Sequence, residues 1–325
     1  MDSKQDTGHT PGGRIRVGVS SCLLGESVRY DSGHKQNRYI TQILGRFFEF
    51  VPACPEVAIG LGVPRPPIRL RGDPGRPRAV GVTDSTFDVT DKLDEYARSR
   101  VETARGLSGY IFKRGSPSCG MERVKVFDSK GMPSAHGAGI FARRLMEELP
   151  LMPVEEEGRL TDPVLRENFI TRIYVYYRWQ HMREGGITSA RMVEFHTRHK
   201  MLVRAHGEAG YQRLGRLVAE AGTRDLSHLA EEYLDVLMRT IKQPATRKQH
   251  SNVLSHLAGY LKRDIDAGDR AELVRLIDEY RLGRVPLVVP VTMLKHHFRR
   301  CPDPYVGHQF YLEPHPEELQ LRNYI

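Results

Sequence analysis

Three of the four cysteines share one position in the sequence pattern. Cys22, Cys54 and Cys119 each come shortly after a predicted core strand. Loops beyond the carboxyl ends of parallel strands converge at one edge of a sheet, so the three thiols are expected to meet there. Three thiolates suit a cubane iron–sulfur cluster with one iron free of cysteine, or a zinc ion with one open position. Spacing alone leaves a further interpretation open, namely three unrelated buried thiols.

The residues that flank these cysteines favour metal ligation over burial. They read Ser-Ser-Cys-Leu-Leu-Gly at 20–25, Cys-Pro-Glu-Val at 54–57 and Ser-Pro-Ser-Cys-Gly at 116–120. Such segments bend sharply and expose backbone N–H groups, which can hydrogen-bond the sulfurs of a cluster. The fourth cysteine, Cys301, is interpreted as a free thiol. Because no C-x-x-C pair is present, the sequence offers neither a thioredoxin motif nor a zinc ribbon.

The sequence has two regions that differ in the spacing of their apolar residues, and these regions must position the cysteines and their neighbours. The first alternates predicted strands (14–22, 49–54, 109–113, near 124–127 and a hairpin of 78–82 with 86–90) with predicted helices (34–48, 91–105 and near 139–148). This alternation predicts an α/β domain with a Rossmann-like parallel sheet over 14–152. A linker at 153–160 then leads to an all-helical domain over 161–305 that starts at Asp162-Pro163. Residues 1–13 are expected to be a disordered tail and 306–325 a C-terminal tail.

Composition and charge limit the possible classes of protein. The chain has 325 residues, enough for two cores, and a hydrophobic content of 39% is ordinary for soluble protein. Its formal net charge of +9 favours polyanionic partners without identifying one. The first residues lack the apolar core of a signal peptide, and no apolar run is long enough to cross a bilayer. We therefore expect a cytoplasmic protein with no membrane partner and, in a reducing compartment, no disulfides.

The flanking motifs extend into a resemblance to a known family. Three segments carry it: the segment 20–25 with Arg-Tyr-Asp at 29–31, the segment 54–65 with Cys-Pro-Glu, Gly-Leu and Pro-Arg, and Lys-Arg-Gly-Ser-Pro-Ser-Cys-Gly at 113–120. Together they resemble the TudS-type thiouracil desulfidases. One departure is Ser32, where the family is expected to carry glycine. The resemblance implies a 4Fe-4S cluster on Cys22, Cys54 and Cys119. It also implies replacement of a thiocarbonyl sulfur by oxygen without net redox change, and neither a nicotinamide nor a flavin cofactor.

That chemistry assigns roles to polar residues beside the cysteines. Thiocarbonyl sulfur is soft, and thiolate-bound iron is a matching Lewis acid, so a bound substrate becomes open to attack by water. Glu56 is the predicted general acid/base that activates this water, a role that typically contributes ~10²–10⁴-fold. Either Ser116 or Ser118 is predicted to orient water or substrate, and simple turn residues are the alternative.

Five further residues are candidates for binding the substrate. Arg29, Tyr30 and Asp31 follow the first cysteine loop, and Arg65 and Arg69 follow the second. Arginine can hold a phosphate by two parallel hydrogen bonds, although these residues are equally compatible with solvated loop charges.

The helical region carries three clusters of cationic residues. They are Arg198, His199, Lys200 and Arg204; Arg247 and Lys248; and Lys295, Arg299 and Arg300. His196, His199 and Lys200 fall at helical spacing, which predicts one face that contacts phosphates. A zinc site is disfavoured because the H-E-x-x-H pattern is absent. Solvated helix faces are the alternative for each cluster.

The helical region also resembles a known domain of unassigned function that occurs alone or after TudS-type domains. The match lies in Phe-Ile-Thr-Arg-Ile at 169–173, Val-Glu-Phe-His-Thr-Arg-His-Lys at 193–200 and Leu-Gly-Arg-Leu-Val-Ala at 214–219. Such fusions resemble RudS-type proteins, which implies tRNA containing 4-thiouridine as the partner and substrate.

Three hypotheses therefore remain for the function. The first is a tRNA 4-thiouridine desulfidase that hydrolyses the C–S bond. The second is a desulfidase of free 4-thiouridine monophosphate or thiouracil, in which the helical region mediates dimerisation. The third is a non-catalytic RNA-binding protein with zinc or an iron–sulfur cluster.

Overall fold

The computed structural model describes residues 14–324, which divide between Asp162 and Pro163 into two compact units. The predicted disordered tail at 1–13 lies outside the described residues. The first unit contains β1 (Ile15–Ser20), β2 (Phe48–Ala53), α1 (Pro55–Ala58), β3 (Ile68–Arg71), β4 (Arg78–Gly81), α2 (Thr90–Arg105), β5 (Tyr110–Phe112), β6 (Val124–Phe127), β7 (Pro133–Gly137), α3 (Ile140–Glu148) and β8 (Val154–Glu156).

One sheet of the first unit is entirely parallel, in the order β2-β1-β5-β8. Strand β1 is nearly fully buried because its apolar side chains face packed layers on both sides. Gly18 in β1 is required by close packing, since a Cβ at this position would lie 2.2 Å from the ring of Tyr110. The parallel sheet confirms the predicted α/β class, and it places the ends of β1, β2 and β5 side by side.

A second sheet, in the order β4-β3-β6-β7, was not predicted. Strand β3 pairs antiparallel with β4 and parallel with β6, and β6 pairs antiparallel with β7. The predicted hairpin of 78–82 with 86–90 is present only as a short antiparallel bridge at Val80 and Asp88, where Gly81 donates to Phe87 at 2.8 Å and Val89 donates to Ala79 at 3.0 Å, and β4 pairs over its length with β3. Apolar residues of these strands pack with α2 and α3 around Leu70, Leu93 and Val126.

Two other predictions for this unit are corrected. The predicted helix at 34–48 is instead a π-helical turn at Tyr39–Ile43 followed by a 3₁₀ turn at Leu44–Arg46. The predicted linker at 153–160 contains β8, which pairs with β5 and buries both Glu155 and Glu156. Acidic composition suggested a solvated linker, but hydrogen bonds to these carboxylates allow their burial.

The second unit is helical. It contains α4 (Pro163–Glu184), α5 (Ser189–His206), α6 (Glu208–Ala219), α7 (Leu226–Lys242), α8 (Arg247–Ala258), α9 (Ala267–Arg281), α10 (Val288–Arg300) and α11 (Pro304–Gly307). As predicted, its first helix starts at Pro163, where the missing N–H costs no helical hydrogen bond. Trp179 on α4 is buried and stacks on Tyr233 of α7, with ring centroids 5.3 Å apart.

The C-terminal segment is part of the helical unit, not a tail. Tyr311, Leu319 and Leu321 are buried, and Arg322 forms a buried ion pair with Glu167 of α4 at 3.0 Å. The polar residues between these positions concealed this packing in the sequence. No helix in the described chain is both long enough and apolar enough to cross a membrane.

Candidate active site

The three candidate cysteine ligands lie beyond the ends of neighbouring strands. Cys22 lies in a 3₁₀ turn directly after β1, Cys54 is the N-cap of α1 directly after β2, and Cys119 lies in the loop after β5. Cys22 and Cys119 are buried and Cys54 is half-buried, and none of them forms a disulfide. Since β1 lies between β2 and β5, the sheet order itself brings the three loops together.

The electrostatics of these thiols suit a cationic ligand. Burial raises the pKa of Cys22 to about 11, and the Lys113 ammonium offsets part of that shift. Burial likewise raises the pKa of Cys54 and, far more, that of Cys119, and the charges of the neighbouring thiols add to the effect on Cys22 and Cys119. Three thiols that are buried or half-buried and influence one another need positive charge to ionise together, as a metal centre provides.

Three thiolates are a donor set that either a cubane cluster or a zinc ion can use. No group of three or more His, Cys, Asp or Glu side chains within residues 14–324 is arranged to hold one metal ion. Zinc would require the three sulfurs to lie about 2.3 Å from one atom. In a cubane each thiolate binds a different iron, so the sulfurs need not converge on one point.

Glu56 is held from both sides by hydrogen bonds. Its Oε2 accepts from Nε of Arg65 at 2.9 Å and lies 2.8 Å from Nη2 of the same guanidinium. Its Oε1 accepts from the hydroxyl of Ser118 at 2.8 Å. The carboxylate therefore has a fixed orientation between the loops that carry Cys54 and Cys119, where it can exchange a proton with a bound molecule.

The structure separates the roles of the two candidate serines. Ser118 is fully buried and donates to Glu56. The hydroxyl of Ser116 accepts the backbone N–H groups of Ser118 at 3.2 Å and Cys119 at 3.1 Å, so Ser116 stabilises the turn. Of the two, Ser118 is placed to act on a substrate through Glu56.

The guanidinium of Arg65 is engaged by partners within the chain. Its side chain is buried, its Nη1 donates to the carbonyl of Gly62 at 2.9 Å, and its other nitrogens contact Glu56. In this structure Arg65 therefore orients Glu56, and its predicted binding of substrate stays a prediction.

The other predicted substrate residues are dispersed. Arg29 lies 3.4 Å from Asp31. Its charge also offsets part of the rise that burial causes in the pKa of Cys22, so this loop borders the cysteine site. Tyr30 is exposed, and its carbonyl accepts the N–H of Arg65 at 3.0 Å. Arg69 lies on β3 in the second sheet, with its guanidinium carbon 5.1 Å from the ring centroid of Phe127. Among the described residues, no hydrogen bond or ion pair joins it to the cysteine loops.

Ser32 follows this loop and has φ 58°, in the left-handed region that favours glycine. A glycine, which the family resemblance leads us to expect here, would relieve that backbone strain.

Ser20 and Lys113 border the site and were missed in the sequence. The hydroxyl of Ser20 accepts the N–H of Lys113 at 3.0 Å, and its hydrogen bond to Cys119 offsets part of the rise in pKa that burial causes there. Lys113 forms an ion pair with Glu157, and its charge offsets part of the rise that burial causes in the pKa of Cys22. Both lie within motifs that were recognised, at positions adjoining the strand ends, which was the available signal.

The cationic residues of α5 lie against aromatic rings. Arg198 lies over Phe310 at 4.3 Å, Lys200 over Tyr305 at 4.6 Å and Arg204 over Tyr211 at 5.5 Å. The prediction that His199 contacts RNA is wrong, because its ring is buried in the helical unit.

His199 is buried between two rings, with centroids 3.9 Å from Phe195 and 4.6 Å from Phe310. His196 on the same helix is also buried, and its Nδ1 lies 3.1 Å from the hydroxyl of Tyr233. The two histidines therefore face the core of the helical unit.

The remaining predicted RNA-contacting residues differ in how free their charges are. Lys295 forms ion pairs with Glu313 and Glu317, so its charge is already paired within the chain and its predicted RNA contact has less support than the others. Arg247, Lys248, Arg299 and Arg300 are exposed and stay candidates for phosphate contacts.

Comparison with known proteins agrees with this division of the chain. Residues 17–157 match the family model described as 2-thiouracil desulfurase, and residues 200–316 match a protein family of unknown function, DUF1722.

Two curated relatives are similar to this chain. The uncharacterized protein YbgA of Escherichia coli K12 is 31% identical over 158 residues, which are 48% of this chain and 94% of YbgA. The uncharacterized protein YbbK of Bacillus subtilis 168 is 36% identical over 108 residues, 31% of this chain and 71% of YbbK.

A solved structure, that of the [4Fe-4S]-dependent thiouracil desulfidase TudS, is 28% identical and covers 46% of this chain and 95% of its own. Its TM-score of 0.37 is too low for a structural argument. The 2-thiouracil desulfurase model covers the three cysteine motifs, and the DUF1722 model covers Leu-Gly-Arg-Leu-Val-Ala at 214–219 but not Phe-Ile-Thr-Arg-Ile at 169–173. The chain belongs to the 2-thiouracil desulfurase family, and a DUF1722 region follows its desulfurase domain.

Proposed function

We propose that this chain is a desulfidase that converts 4-thiouridine in tRNA to uridine, with a 4Fe-4S cluster held by Cys22, Cys54 and Cys119. The observation that carries the proposal is the hydrogen-bonded series of Arg65, Glu56 and Ser118, which lies between two of these cysteine loops. A cluster bound by the three thiolates would supply an open, soft Lewis-acid iron for the substrate sulfur. The carboxylate beside it is the group that can handle the protons of water.

The residues of the chain divide the remaining work. Glu56 takes a proton from water as the water oxygen bonds to the thiocarbonyl carbon. Arg65 keeps the carboxylate in place, and Ser118 keeps its hydroxyl on the other carboxylate oxygen. Glu56 then returns its proton to the sulfur as the C–S bond breaks, the remaining proton of the attacking water goes to solvent as its oxygen becomes the carbonyl oxygen, and sulfur leaves as hydrosulfide without net oxidation or reduction.

A patch of tyrosines and cations supports an RNA substrate. We call Lys200, Arg204, Tyr211, Tyr260 and Tyr305 the tyrosine patch. The ring centroids of Tyr260 and Tyr305 lie 5.6 Å apart, and Tyr260 is exposed. Arg204 shares its charge with Glu208 at 3.1 Å. Tyr211 and Tyr305 are half-buried, so Tyr260 is the exposed ring of the patch, and an exposed aromatic ring next to cations is typical of surfaces on which unpaired bases stack.

A second candidate function is supported by the family description, which names free 2-thiouracil. The TudS protein to which the chain is similar is named for thiouracil as well. In that case the helical unit would have a role other than binding the substrate, such as dimerisation.

One experiment separates the candidates. The anaerobically reconstituted protein is given thiolated tRNA, 4-thiouridine monophosphate or 2-thiouracil at equal thiocarbonyl concentration, and loss of thiocarbonyl absorbance is followed. We expect the highest kcat/KM on tRNA, with a strong dependence on salt. Equal or higher kcat/KM on the mononucleotide or the free base would overturn the assignment to tRNA. No turnover on any of the three, with iron and sulfide present, would overturn the desulfidase itself.

A further inference from the structure

The strand β8 supplies acidic side chains to the loop that carries Cys119. Glu156 is buried at 3% exposure, and its Oε1 accepts the backbone N–H of Met121 at 2.9 Å and that of Glu122 at 3.4 Å. These two N–H groups come directly after Cys119 and Gly120. A carboxylate that receives two backbone donors holds them more tightly than a neutral acceptor does, because the hydrogen bonds are charge-assisted.

Glu157, the residue directly after β8, holds the other end of the same loop. Glu157 accepts the backbone N–H of Arg114 at 2.7 Å and forms an ion pair with the ammonium of Lys113. Its side chain is 14% exposed, so both contacts are shielded from water. The loop 113–122 is therefore held by one carboxylate before Cys119 and by another after it.

Hydrogen bonds within the loop connect its two held ends to Cys119, the candidate ligand. Ser116 accepts the N–H of Cys119, and Gly139 donates to the carbonyl of Gly120 at 2.8 Å. Ser118 in the same loop donates to Glu56. Because these groups are hydrogen-bonded, Cys119 and Ser118 do not shift independently of the carboxylates of Glu156 and Glu157.

We propose that Glu156 and Glu157 are positioning residues that fix the loop 113–122, and with it Cys119 and Ser118, relative to the cluster and the substrate. The inference rests on the proposed function, since it takes Cys119 as a cluster ligand. Neither residue touches the reacting atoms, and both act through backbone groups of the loop.

The test compares Glu156→Ala and Glu156→Gln with a matched control, Glu155→Gln. Glu155 lies on the same strand and is equally buried, but its carboxylate accepts Arg159 at 2.6 Å and the N–H of Glu156 at 3.1 Å, and it accepts no backbone N–H of the loop, so the glutamine variant keeps an acceptor for Glu156. In the intact, anaerobically reconstituted protein we measure iron and sulfide per chain, the rate of cluster loss to a chelator, and the reduction potential. We expect Glu156→Ala to lose its cluster about 10–100-fold faster, the range typical for groups that orient metal ligands. Glu156→Gln should recover part of the stability because its amide oxygen still accepts an N–H, and Glu155→Gln should behave like the wild type.

Each outcome has one interpretation. Wild-type protein that assembles no iron and sulfide overturns the proposed function. Wild-type protein with a cluster, together with a Glu156→Ala variant of unchanged chelator resistance and potential, overturns this inference alone. An equal effect of Glu155→Gln also overturns it, because general destabilisation then explains the loss. If Glu156→Ala does not fold, Glu157→Ala, which removes the less buried carboxylate, must show the same faster loss of the cluster.

Discussion

The hydroxyl of Ser118 lies 2.8 Å from Oε1 of Glu56, although 62 residues separate them in the sequence. This contact joins the loop that follows β5 to the short helix that follows β2. Each of the two residues lies within two positions of a candidate cluster ligand, Cys119 or Cys54. The carboxylate thus has one partner from each loop, Ser118 from the Cys119 loop and Arg65 from the segment after Cys54.

Glu56→Gln is expected to abolish most turnover while leaving the cluster in place. An amide cannot take the proton of water, so kcat should fall by ~10²–10⁴-fold. The measurement is the initial rate on thiolated tRNA, with iron and sulfide content determined on the same sample. Glu49→Gln on β2 is the control, since Glu49 is exposed and pairs only with Arg16. Full activity of Glu56→Gln would show that another group activates the water.

Ser118→Ala and Ser116→Ala are expected to have different effects. Ser118→Ala removes a hydrogen bond to a charged carboxylate, which is worth ~1.5–3 kcal/mol and corresponds to a fall in kcat of ~10–100-fold. Ser116→Ala leaves that bond intact but frees the N–H of Cys119, so it should speed cluster loss and leave the kcat per cluster nearly unchanged. Kinetics normalised to iron content distinguish the two. The reverse pattern would assign the catalytic contact to Ser116.

Arg65→Lys should lower kcat with little change in KM. A lysine cannot make two contacts to Oε2 of Glu56 and a third to Gly62, so the carboxylate loses its fixed orientation. A residue that held substrate in both ground and transition state would instead raise KM at constant kcat. Steady-state kinetics on thiolated tRNA decide between the two, and a change confined to KM would support the role in substrate binding.

Binding of tRNA should depend on the exposed cations and not on the paired one. Replacing Arg299 and Arg300 by glutamine removes up to two cations that can neutralise phosphates. This should reduce the slope of log K against log salt by about one for each phosphate that is no longer neutralised. Lys295→Gln on the same helix should leave the slope unchanged, because its charge is already paired with Glu313 and Glu317. Filter binding across a salt series gives the slopes. A larger effect for Lys295→Gln would place the RNA on the other side of α10.

The parts of the site that follow strand ends were predictable, and those that depend on tertiary contacts were not. Cys22 and Cys54 come immediately after buried strands, so periodicity and sheet topology were enough to place them. Glu56 was found because it lies next to a ligand in the sequence. The partnership with Ser118 was not found, because spacing along the chain carries no information about contacts between distant loops.

Burial of polar residues accounts for the main errors. Acidic residues at 153–160 suggested a linker, yet the carboxylate of Glu156 is satisfied by backbone N–H groups inside the unit. His199 lies at a spacing typical of a polar face, but its ring is buried against Phe310, a residue 111 positions later in the sequence. Strand β3 is short and lies between prolines and glycines, so no pattern in the sequence indicated its pairing with β4 and β6.

The helical unit should lose stability as the pH falls from 6.5 to about 4. Burial, and to a smaller extent Lys200, lower the pKa of His196 to about 4, while the unfolded chain has the ordinary value of 6.5. Between these values the unfolded state binds the proton and the folded state does not. The full stability is therefore present above pH 6.5, and it falls by ~1.4 kcal/mol per pH unit for this histidine. His206 and His315, whose pKa values are lowered by burial to about 4 and about 3, act in the same direction.

The single tryptophan makes this effect measurable in the intact protein. Trp179 is buried in the helical unit and stacks on Tyr233, the same ring whose hydroxyl contacts His196. Its fluorescence during urea unfolding at pH 7, 6 and 5 therefore reports the stability around this histidine. His196→Gln is the control: it should lower stability at pH 7 but make the dependence on pH shallower by the contribution of one histidine. An unfolding midpoint that stays constant between pH 7 and 5 in the wild type would mean that these histidines take up protons without leaving the folded core.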